Sequence, residues 1–290
     1  MPPTLEQAIA AVRQLPNLPN TTRVVLDYLN DEDVDVSRVV QAIARDQGLV
    51  ARVLRIANSA FFGMPSQVQT IHEAVVVLGF SNLRLIVIAA MMTSQKFSNL
   101  TSQLQEVQTL FRHGLAVAIC ATVFGRKTKL NPNLLFLAGI LHDIGKLALM
   151  ATYPASYAQV QALRGDTDFL TLEAEQKVFG FNHAAIGAAL CRHWKLPEAI
   201  STAVGDHHSF DDVHDVVPAS TETGQLSELI HLADAVAHGL DLESDPIAMV
   251  PPISESIWNR LAGRQEQLVH DFSEIRALYQ ELVTLVDSHS

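Results

Sequence analysis

Apolar positions recur every three to four residues along most of this chain, and this spacing is typical of amphipathic or buried α-helices. Alternating runs of β-branched residues bounded by turn residues, which would predict strands, do not appear. Thr4 and Gln7 stand at the two positions of a capping box, and Pro16 ends the first predicted helix. The pattern therefore predicts an all-α fold. The predicted helices cover 5–14, 21–29, 36–45, 48–58, 71–78, 81–92, about 101–124, 154–163, 169–179, 183–194, 197–206, 225–238 and two more within 254–286.

One further helix is predicted over the nearly all-apolar stretch 134–150, and it carries a short polar set. Gly139, His142, Asp143 and Lys146 follow one another at i, i+3, i+4 and i+7, so they share a helix face. A helix that is apolar around most of its circumference is buried, and an unpaired buried charge is strongly unfavourable. We therefore expect the imidazole and the carboxylate to face an interior cleft and to share a metal ion. The alternative is an amphipathic helix whose narrow polar face meets water.

Composition and charge narrow the class of protein. The chain has 290 residues, of which 48% are apolar and 18% charged, as in a well-packed soluble protein of one or two domains. The net charge of −11 argues against non-specific nucleic-acid binding, although Arg112 and the cluster 126–129 leave a local basic pocket open. Cys120 and Cys191 offer no disulfide framework, and the apolar run 85–92 is about half the roughly 20 residues that span a bilayer. With no secretory signal visible, we expect a cytoplasmic protein that binds neither membrane nor nucleic acid.

Histidines and aspartates recur in apolar surroundings through the middle of the chain, which has 12 histidines in all. Taken singly, each of these residues is more often a satisfied core or surface residue than a ligand. Together they form separated clusters in an all-α chain, and imidazole and carboxylate donors suit iron, manganese, zinc or nickel without a thiolate. We therefore expect one or two divalent transition-metal ions, with iron first among these metals. The candidate metal ligands are His113, His142, Asp143, His183, His207, His208 and Asp234.

This set of residues resembles the ligands of the HD superfamily of metal-dependent phosphohydrolases. The resemblance rests on a first histidine, His113, on the His-Asp pair at 142–143 in the context LHDIGK, and on a final Asp234. His183 and the histidine pair at 207–208 are similar to the residues with which HD-GYP phosphodiesterases hold a second metal.

The resemblance also implies roles for these residues. Asp143 would bridge two metals, and Lys146 would meet the substrate phosphate or the nucleophilic water, so these two are the candidate catalytic residues. One ion would be held by His113, His142 and Asp234, and the other by His183, His207 and His208.

More of the chain, roughly residues 8–240, is similar to the HDOD family, an output-domain branch of the HD superfamily. The resemblance implies a multi-helical HD-type bundle with an N-terminal HDOD helical lobe. We expect this lobe over 1–105, an HD-type metal-site lobe over 106–240 and C-terminal helices over 241–290. The motifs that carry the similarity are Leu15-Pro-Asn-Leu-Pro19, 46–63, 71–79, 137–146, Glu175 and 183–197.

The HDOD resemblance implies a signalling or regulatory protein, because members of this family are commonly regulatory and often lack some metal ligands. This chain keeps a full ligand-like set, so an active metal-dependent phosphohydrolase acting on a nucleotide-type phosphoester is the alternative. After His208, however, the sequence reads Ser-Phe-Asp-Asp-Val-His, where HD-GYP enzymes carry an acidic residue and a Gly-Tyr-Pro recognition loop. The regulatory interpretation implies a protein partner such as a kinase or diguanylate cyclase, with aromatics in 60–65 as contact candidates. The enzymatic interpretation implies a nucleotide or phosphoester ligand.

Overall fold

The computed structural model describes residues 2–12, 35–62, 66–92, 104–165, 171–194, 196–210, 219–242 and 249–287. Within these ranges every regular element is a helix and no strand occurs, which confirms the predicted all-α fold. The predicted helix 21–29 lies outside the described residues. In chain order the helices are α1 Leu5–Val12, α2 Val36–Ala44, α3 Gln47–Ala57, α4 Ile71–Met92, α5 Leu104–Gly125, α6 Pro132–Leu141, α7 Ile144–Thr152, α8 Pro154–Arg164, α9 Thr171–Phe179, α10 His183–His193, α11 Glu198–Asp206, α12 Glu222–Gly239, α13 Glu255–Leu261 and α14 Gln265–Asp287.

The chain forms two compact units, Met1–Leu15 with Gln105–Arg276 and Pro16–Leu104 with Ala277–Ser290. All the candidate metal ligands belong to the first unit. Within it, α10 packs against α7 and α11, and both α11 and α12 pack against α6. The short helix α1 packs against α7 and α10, so it belongs to this unit and not with residues 16–104. The expected domain limits at 105 and 240 stay a prediction, because compactness alone does not show which parts fold independently.

The second unit is built around the apolar faces of α2, α3 and α4. Ile43, Val53 and Leu83 are among its fully buried side chains. Gly79 interrupts α4 with φ 75° and ψ 167°, at the junction where the sequence predicts one helix to end and the next to begin. A φ of this sign is readily adopted by glycine alone, so the residue type explains the break.

Two site helices of the first unit begin at asparagine caps. Asn131 accepts a hydrogen bond from the N–H of Asn133 at 2.9 Å, immediately before α6. Asn182 accepts one from the N–H of Ala185 at 3.2 Å, and this cap makes His183 the first residue of α10. Since an N-cap fixes where a helix starts, these two asparagines set the positions at which α6 and α10 enter the core.

The chain does not continue as one helix through the His-Asp pair, so the predicted single helix over 134–150 is wrong. α6 ends at Leu141 and α7 begins at Ile144. His142 Nδ1 donates to the carbonyl of Gly139 at 2.8 Å and so satisfies one of the carbonyls left over at the end of α6. Asp143, with φ −100° and ψ 9°, makes no side-chain capping bond to α7. The imidazole and the carboxylate are therefore presented at the junction of two buried helices, not along one helix face.

Among the described residues, two segments are long and apolar enough to cross a membrane by length and composition alone, Glu106–Gly125 and Pro132–Thr152. In these segments 72% and 83% of the apolar window is buried inside the protein, and the second segment is the one broken at the His-Asp pair. Burial against neighbouring helices is the situation of core helices, which are hydrophobic on most sides for that reason.

Candidate metal centre

The seven predicted ligands come from five segments of the first unit. These are α5, the α6–α7 junction, the first residue of α10, the two residues that follow α11, and α12. All are buried except His208, which is half-buried. Their side chains lie in one continuous cluster in which each contacts at least one other member. The proximity of these residues is therefore observed, whereas their role as metal ligands stays a prediction.

Asp143 is in contact with three other members of the cluster and with Lys146. Its Oδ1 lies 3.0 Å from Nε2 of His183 and 3.8 Å from Nε2 of His207. Its Oδ2 lies 3.4 Å from Nε2 of His142 and accepts a hydrogen bond from Nζ of Lys146 at 2.6 Å. One carboxylate thus faces imidazoles on both of its oxygens, as a shared ligand of two ions would.

Asp234 gathers a second group of imidazoles. Its Oδ1 lies 2.9 Å from Nε2 of His113 and 3.9 Å from Nε2 of His142. The same oxygen lies 3.4 Å from Nε2 of His238, one helical turn further along α12. His238 was missed as a site residue in the sequence, although its i+4 spacing from Asp234 was a usable signal.

In three of the imidazoles the Nδ1 atom, which points away from the cluster, has a hydrogen-bond partner. Nδ1 of His142 donates to the carbonyl of Gly139, and Nδ1 of His207 donates to the carbonyl of Val204, each at 2.8 Å. Nδ1 of His183 lies 2.8 Å from a carboxylate oxygen of Glu175. A ring whose Nδ1 carries the proton has its lone pair on Nε2, which is the atom that each of these rings turns toward the cluster.

The donor atoms fit a divalent transition metal. Nε2 of His142 and Nε2 of His207 are buried and have no well-formed hydrogen bond among the described residues, which is rare for native polar atoms. Donors about 2.1 Å from one ion lie roughly 3.0–3.4 Å from one another. The Asp143–His183, Asp143–His142 and His183–His208 separations of 3.0, 3.4 and 3.3 Å have this size. Two groups with mutually close donor atoms share Asp143, one with His183, His207 and His208, the other with His113 and His142.

The two carboxyl groups of the cluster are held in their ionised form. Burial alone would raise the pKa of Asp143, but the charge of Lys146 and the neighbouring imidazoles outweigh it, so this pKa lies well below its usual value. Burial would likewise raise the pKa of Asp234, yet the hydrogen bond from His113 and the nearby imidazoles hold it well below its usual value. Anionic carboxylates are the form that binds a metal ion.

The imidazoles of the cluster differ in proton affinity. Burial lowers the pKa of His207 to about 4 and that of His208 well below its usual value, so both rings are neutral at pH 7. Burial also acts to lower the pKa of His183, but the charge of Glu175 raises it to about 9. A proton at Nε2 of His183 therefore competes with any cation at that position.

Close packing of two glycines places His183 beside Asp143. A Cβ on Gly145 of α7 would overlap the carbonyl group of His183 and lie 2.8 Å from the backbone nitrogen of Gly187. A Cβ on Gly187 of α10 would in turn lie 2.8 Å from Val204. The two helices approach this closely only because neither residue has a side chain, so the glycines fix the distance between the His-Asp junction and α10.

Glu175 was identified in the sequence only as part of a family motif, and the structure gives it a contact with a candidate ligand. This fully buried residue of α9 accepts the backbone N–H of His183 at 2.7 Å as well as facing the ring Nδ1. Glu175→Gln should weaken metal binding at His183 by roughly 10–100-fold, the usual effect of losing a carboxylate behind a ligating imidazole. Stepwise Zn²⁺ affinities measured by competition with a chromophoric chelator would report the change.

Glu228→Gln is the matched control for this prediction. Glu228 is also a buried glutamate of the first unit, but it pairs with Arg260 at 2.7 Å and with the N–H of Ala219 at 3.0 Å, outside the cluster. Its substitution should leave the Zn²⁺ affinities unchanged. Equal losses of affinity in the two variants would show that Glu175 acts only through general stability.

The fold and the cluster define an all-α protein with a buried centre of histidine and aspartate side chains. Comparison with known proteins identifies the family within this class, because residues 15–210 match the HDOD domain. The chain belongs to the HDOD family, and the resemblance found in the sequence is confirmed.

Two solved structures are similar over nearly the whole chain. A protein of Shewanella amazonensis, named "Putative phosphohydrolase", is 25% identical with a TM-score of 0.69 and covers 96% of this chain and 98% of its own. An HDOD domain protein of Geobacter sulfurreducens is 26% identical with a TM-score of 0.67 and the same coverage of 96% and 98%.

A curated relative from Treponema pallidum (strain Nichols), described as an uncharacterized protein, is 26% identical over 242 residues. The alignment covers 83% of this chain and 45% of the relative, so the chain spans less than half of that protein's length.

Proposed function

We propose that this protein is a signalling or regulatory HDOD protein of the cytoplasm whose first unit binds two divalent transition-metal ions, with iron the leading candidate. The observation that carries the metal part is the convergence of imidazole Nε2 atoms on two ionised carboxylates, Asp143 and Asp234. Buried donors arranged in this way and lacking hydrogen-bond partners are costly unless a cation joins them. Imidazole and carboxylate donors without thiolates suit iron, manganese, zinc and nickel.

Two groups of close donor atoms that share Asp143 support the division of the residues between two ions. A bound ion would supply a Lewis acid that activates water and polarises a phosphoryl oxygen. Lys146 donates from Nζ to Oδ2 of Asp143, so its charge holds this carboxylate ionised and oriented. In the proposal one ion is held by His183, His207, His208 and Asp143, and the other by His113, His142, Asp234 and Asp143.

The regulatory part of the proposal is supported by the residues near the candidate metal ligands that would have to orient a substrate. Hydrolysis of a phosphoester needs groups that orient the substrate within ångströms of the activated water. The cation closest to the shared carboxylate, Lys146, is engaged with Asp143, and its side chain is only 19% exposed. The sequence after His208 lacks the Gly-Tyr-Pro segment with which HD-GYP enzymes recognise a cyclic dinucleotide. Bound metal would then stabilise the helices it joins, since the assembled donor cluster exists in the folded state.

A protein partner is part of this proposal, and the second unit offers one pair of aromatic candidates. Phe61 and Phe62 are half-buried, with ring centroids 5.1 Å apart in an edge-to-face arrangement. Phe62 packs against the core of the second unit, and both rings keep part of their surface exposed. Aromatic side chains are enriched at protein interfaces.

A second candidate function is hydrolysis of a nucleotide-type phosphoester, and one observation favours it. The ammonium group of Lys146 lies beside the carboxylate that the two ligand groups share, where developing negative charge on a phosphoryl group would be stabilised. The name of the Shewanella amazonensis protein is consistent with this chemistry.

Elemental analysis and a turnover assay separate the two functions. The metal-reconstituted protein should contain stoichiometric metal but hydrolyse cyclic dinucleotides weakly or not at all, with at most slow turnover of a generic aryl phosphodiester. The Asp143→Asn variant serves as the control for adventitious activity. Turnover of a cyclic dinucleotide at roughly 1 per second or more, abolished by Asp143→Asn, would overturn the regulatory proposal in favour of the enzyme.

A further inference from the structure

We propose that His238 is an additional metal ligand, which joins His113 and Asp234 and gives the two ions unequal numbers of protein donors. The inference rests on the proposed metal centre and adds a residue that neither the sequence motifs nor the HD resemblance assigns. Because His238 adds a donor to one ion only, it also predicts which ion is held more tightly.

The position of His238 follows from the geometry of α12. Asp234 and His238 stand at i and i+4, so their side chains project from the same face of this helix. Nε2 of His238 lies 3.4 Å from Oδ1 of Asp234, and the side chain is only 11% exposed. The ring of His238 lies over that of His113, with centroids 4.4 Å apart and an angle of 35° between the planes. Donor atoms of His113, Asp234 and His238 all lie within 4.8 Å of one another.

The distances around Asp234 favour a common cation over separate hydrogen bonds. Oδ1 of Asp234 faces three Nε2 atoms, those of His113, His238 and His142, at 2.9, 3.4 and 3.9 Å. Good N–H···O bonds lie near 2.9–3.0 Å, so only the shortest of these contacts has that length. A separation of 3.4 Å matches two donors on one ion, since each donor lies about 2.1 Å from the metal.

The donor groups can be combined because His113 belongs to two of them. One contains His113, His142 and Asp143, and the other contains His113, Asp234 and His238. A neutral imidazole has one lone pair and binds one ion, so both groups describe the same metal position. In the proposal this position combines the two groups, so it draws on five protein donors, His113, His142, Asp143, Asp234 and His238. The other position draws on the four donors of the remaining group, Asp143, His183, His207 and His208.

Unequal donor sets have a functional consequence. In six-coordinate geometry, five protein donors leave one open position and four leave two. Sites closed by protein ligands are structural, and sites with open positions admit water or substrate. The ion near His238 would therefore be the tightly held one, and the ion near His208 the exchangeable one that a phosphoester or a regulatory anion could reach.

The test uses the full chain and Co²⁺ as the probe, with two readouts independent of any enzymatic activity. Stepwise affinities are measured by chelator competition, and the d–d absorption of bound Co²⁺ reports coordination number. His238→Gln should weaken one affinity by at least about tenfold, leave the other within twofold, and change the absorption of one ion. His238→Asp, which supplies a carboxylate donor, should recover part of the lost affinity. His270→Gln, at an exposed position of α14, should match the wild type.

The outcomes distinguish this inference from the proposed function on which it rests. If His238→Gln binds two ions with the affinities and absorption of the wild type, His238 is not a ligand. The proposed metal centre would be unaffected by that result. A lowered affinity with unchanged absorption would also overturn the role of His238 as a ligand, because His238 would then only orient Asp234. A wild-type protein that binds no Co²⁺ would overturn the metal centre itself. Equal Tm values of wild type and His238→Gln in the presence of chelator would verify that the variant folds. If His238→Gln does not fold, His238→Asn is used in its place.

Discussion

Asp143→Asn is expected to abolish the increase in thermal stability that divalent metal gives this protein. Asp143 belongs to both ligand groups around the α6–α7 junction, so its loss removes a donor from each ion. A ligand at a hundredfold excess over its Kd stabilises the folded state by about 2.7 kcal/mol. For a folded unit the size of the first one, that corresponds to roughly 5–10 °C in Tm for each ion. Thermal unfolding of wild type and variant, each with excess Zn²⁺ and with chelator, measures the effect.

The readout is the difference between the two buffers, because Asp143→Asn also leaves the ammonium of Lys146 without its buried partner. Asp271→Asn is the matched control, since Asp271 is likewise a buried aspartate paired with a lysine, Lys127, at 2.8 Å. It should lower Tm equally in both buffers and retain the full metal-dependent increase. A metal-dependent increase that survives in Asp143→Asn would contradict the assignment of Asp143 as the shared ligand.

Gly145→Ala should destabilise the first unit by about 3 kcal/mol, at the upper end of what an added methyl group costs in a packed core. In an exposed helix the same substitution would stabilise by roughly 1 kcal/mol, because alanine has the higher helix propensity. At Gly145 the loss of packing outweighs the gain in helix propensity, so the free energy of unfolding should fall. The new Cβ would overlap the carbonyl of His183 and force α7 and α10 apart. Zn²⁺ affinity should fall with stability, because His183 moves away from Asp143. Urea unfolding and chelator competition give the two quantities.

Gly239→Ala tests whether the close approach is specific to Gly145. Gly239 is the last residue of α12, and within the described part of the chain its added Cβ would meet only Val250, at 3.9 Å, an ordinary contact. This control should be neutral or slightly stabilising and should keep the Zn²⁺ affinities. If Gly145→Ala matched Gly239→Ala in both measurements, the packing of α7 on α10 would not be what positions His183.

The break between α6 and α7 shows where periodicity stops being informative. The apolar stretch 134–150 has the composition of one helix, and nothing in its spacing marks residue 142 as an end. The end is produced by a side chain, since His142 Nδ1 bonds to the carbonyl of Gly139, which a continued helix would have used for the N–H of Asp143. The orientation in which His142 makes this bond also depends on the groups that face its Nε2 atom. Those groups include Asp234 of α12, which is distant in sequence.

The contacts that the candidate ligands make with Glu175 and His238 were not predicted from the sequence either. Glu175 stands eight residues before His183, a spacing that no single helix or turn requires, yet α9 and α10 bring its carboxylate to the imidazole at 2.8 Å. His238 was accessible in principle through its i+4 spacing from Asp234, but that spacing acquires meaning only when His113 of α5 is seen beside both.

The sequence by itself determined the helical class of the fold, several helix starts and the identity of the clustered side chains. These are local properties: the period of apolar residues, the asparagine caps at 131 and 182, and the reciprocal bonds between Thr4 and Gln7 at 3.0 and 3.3 Å all act within a few residues. Only the tertiary structure decided which donors face one another. His113 and Asp234 lie 121 positions apart and meet at 2.9 Å because helix packing, which sums weak contacts over the whole first unit, places α5 beside α12.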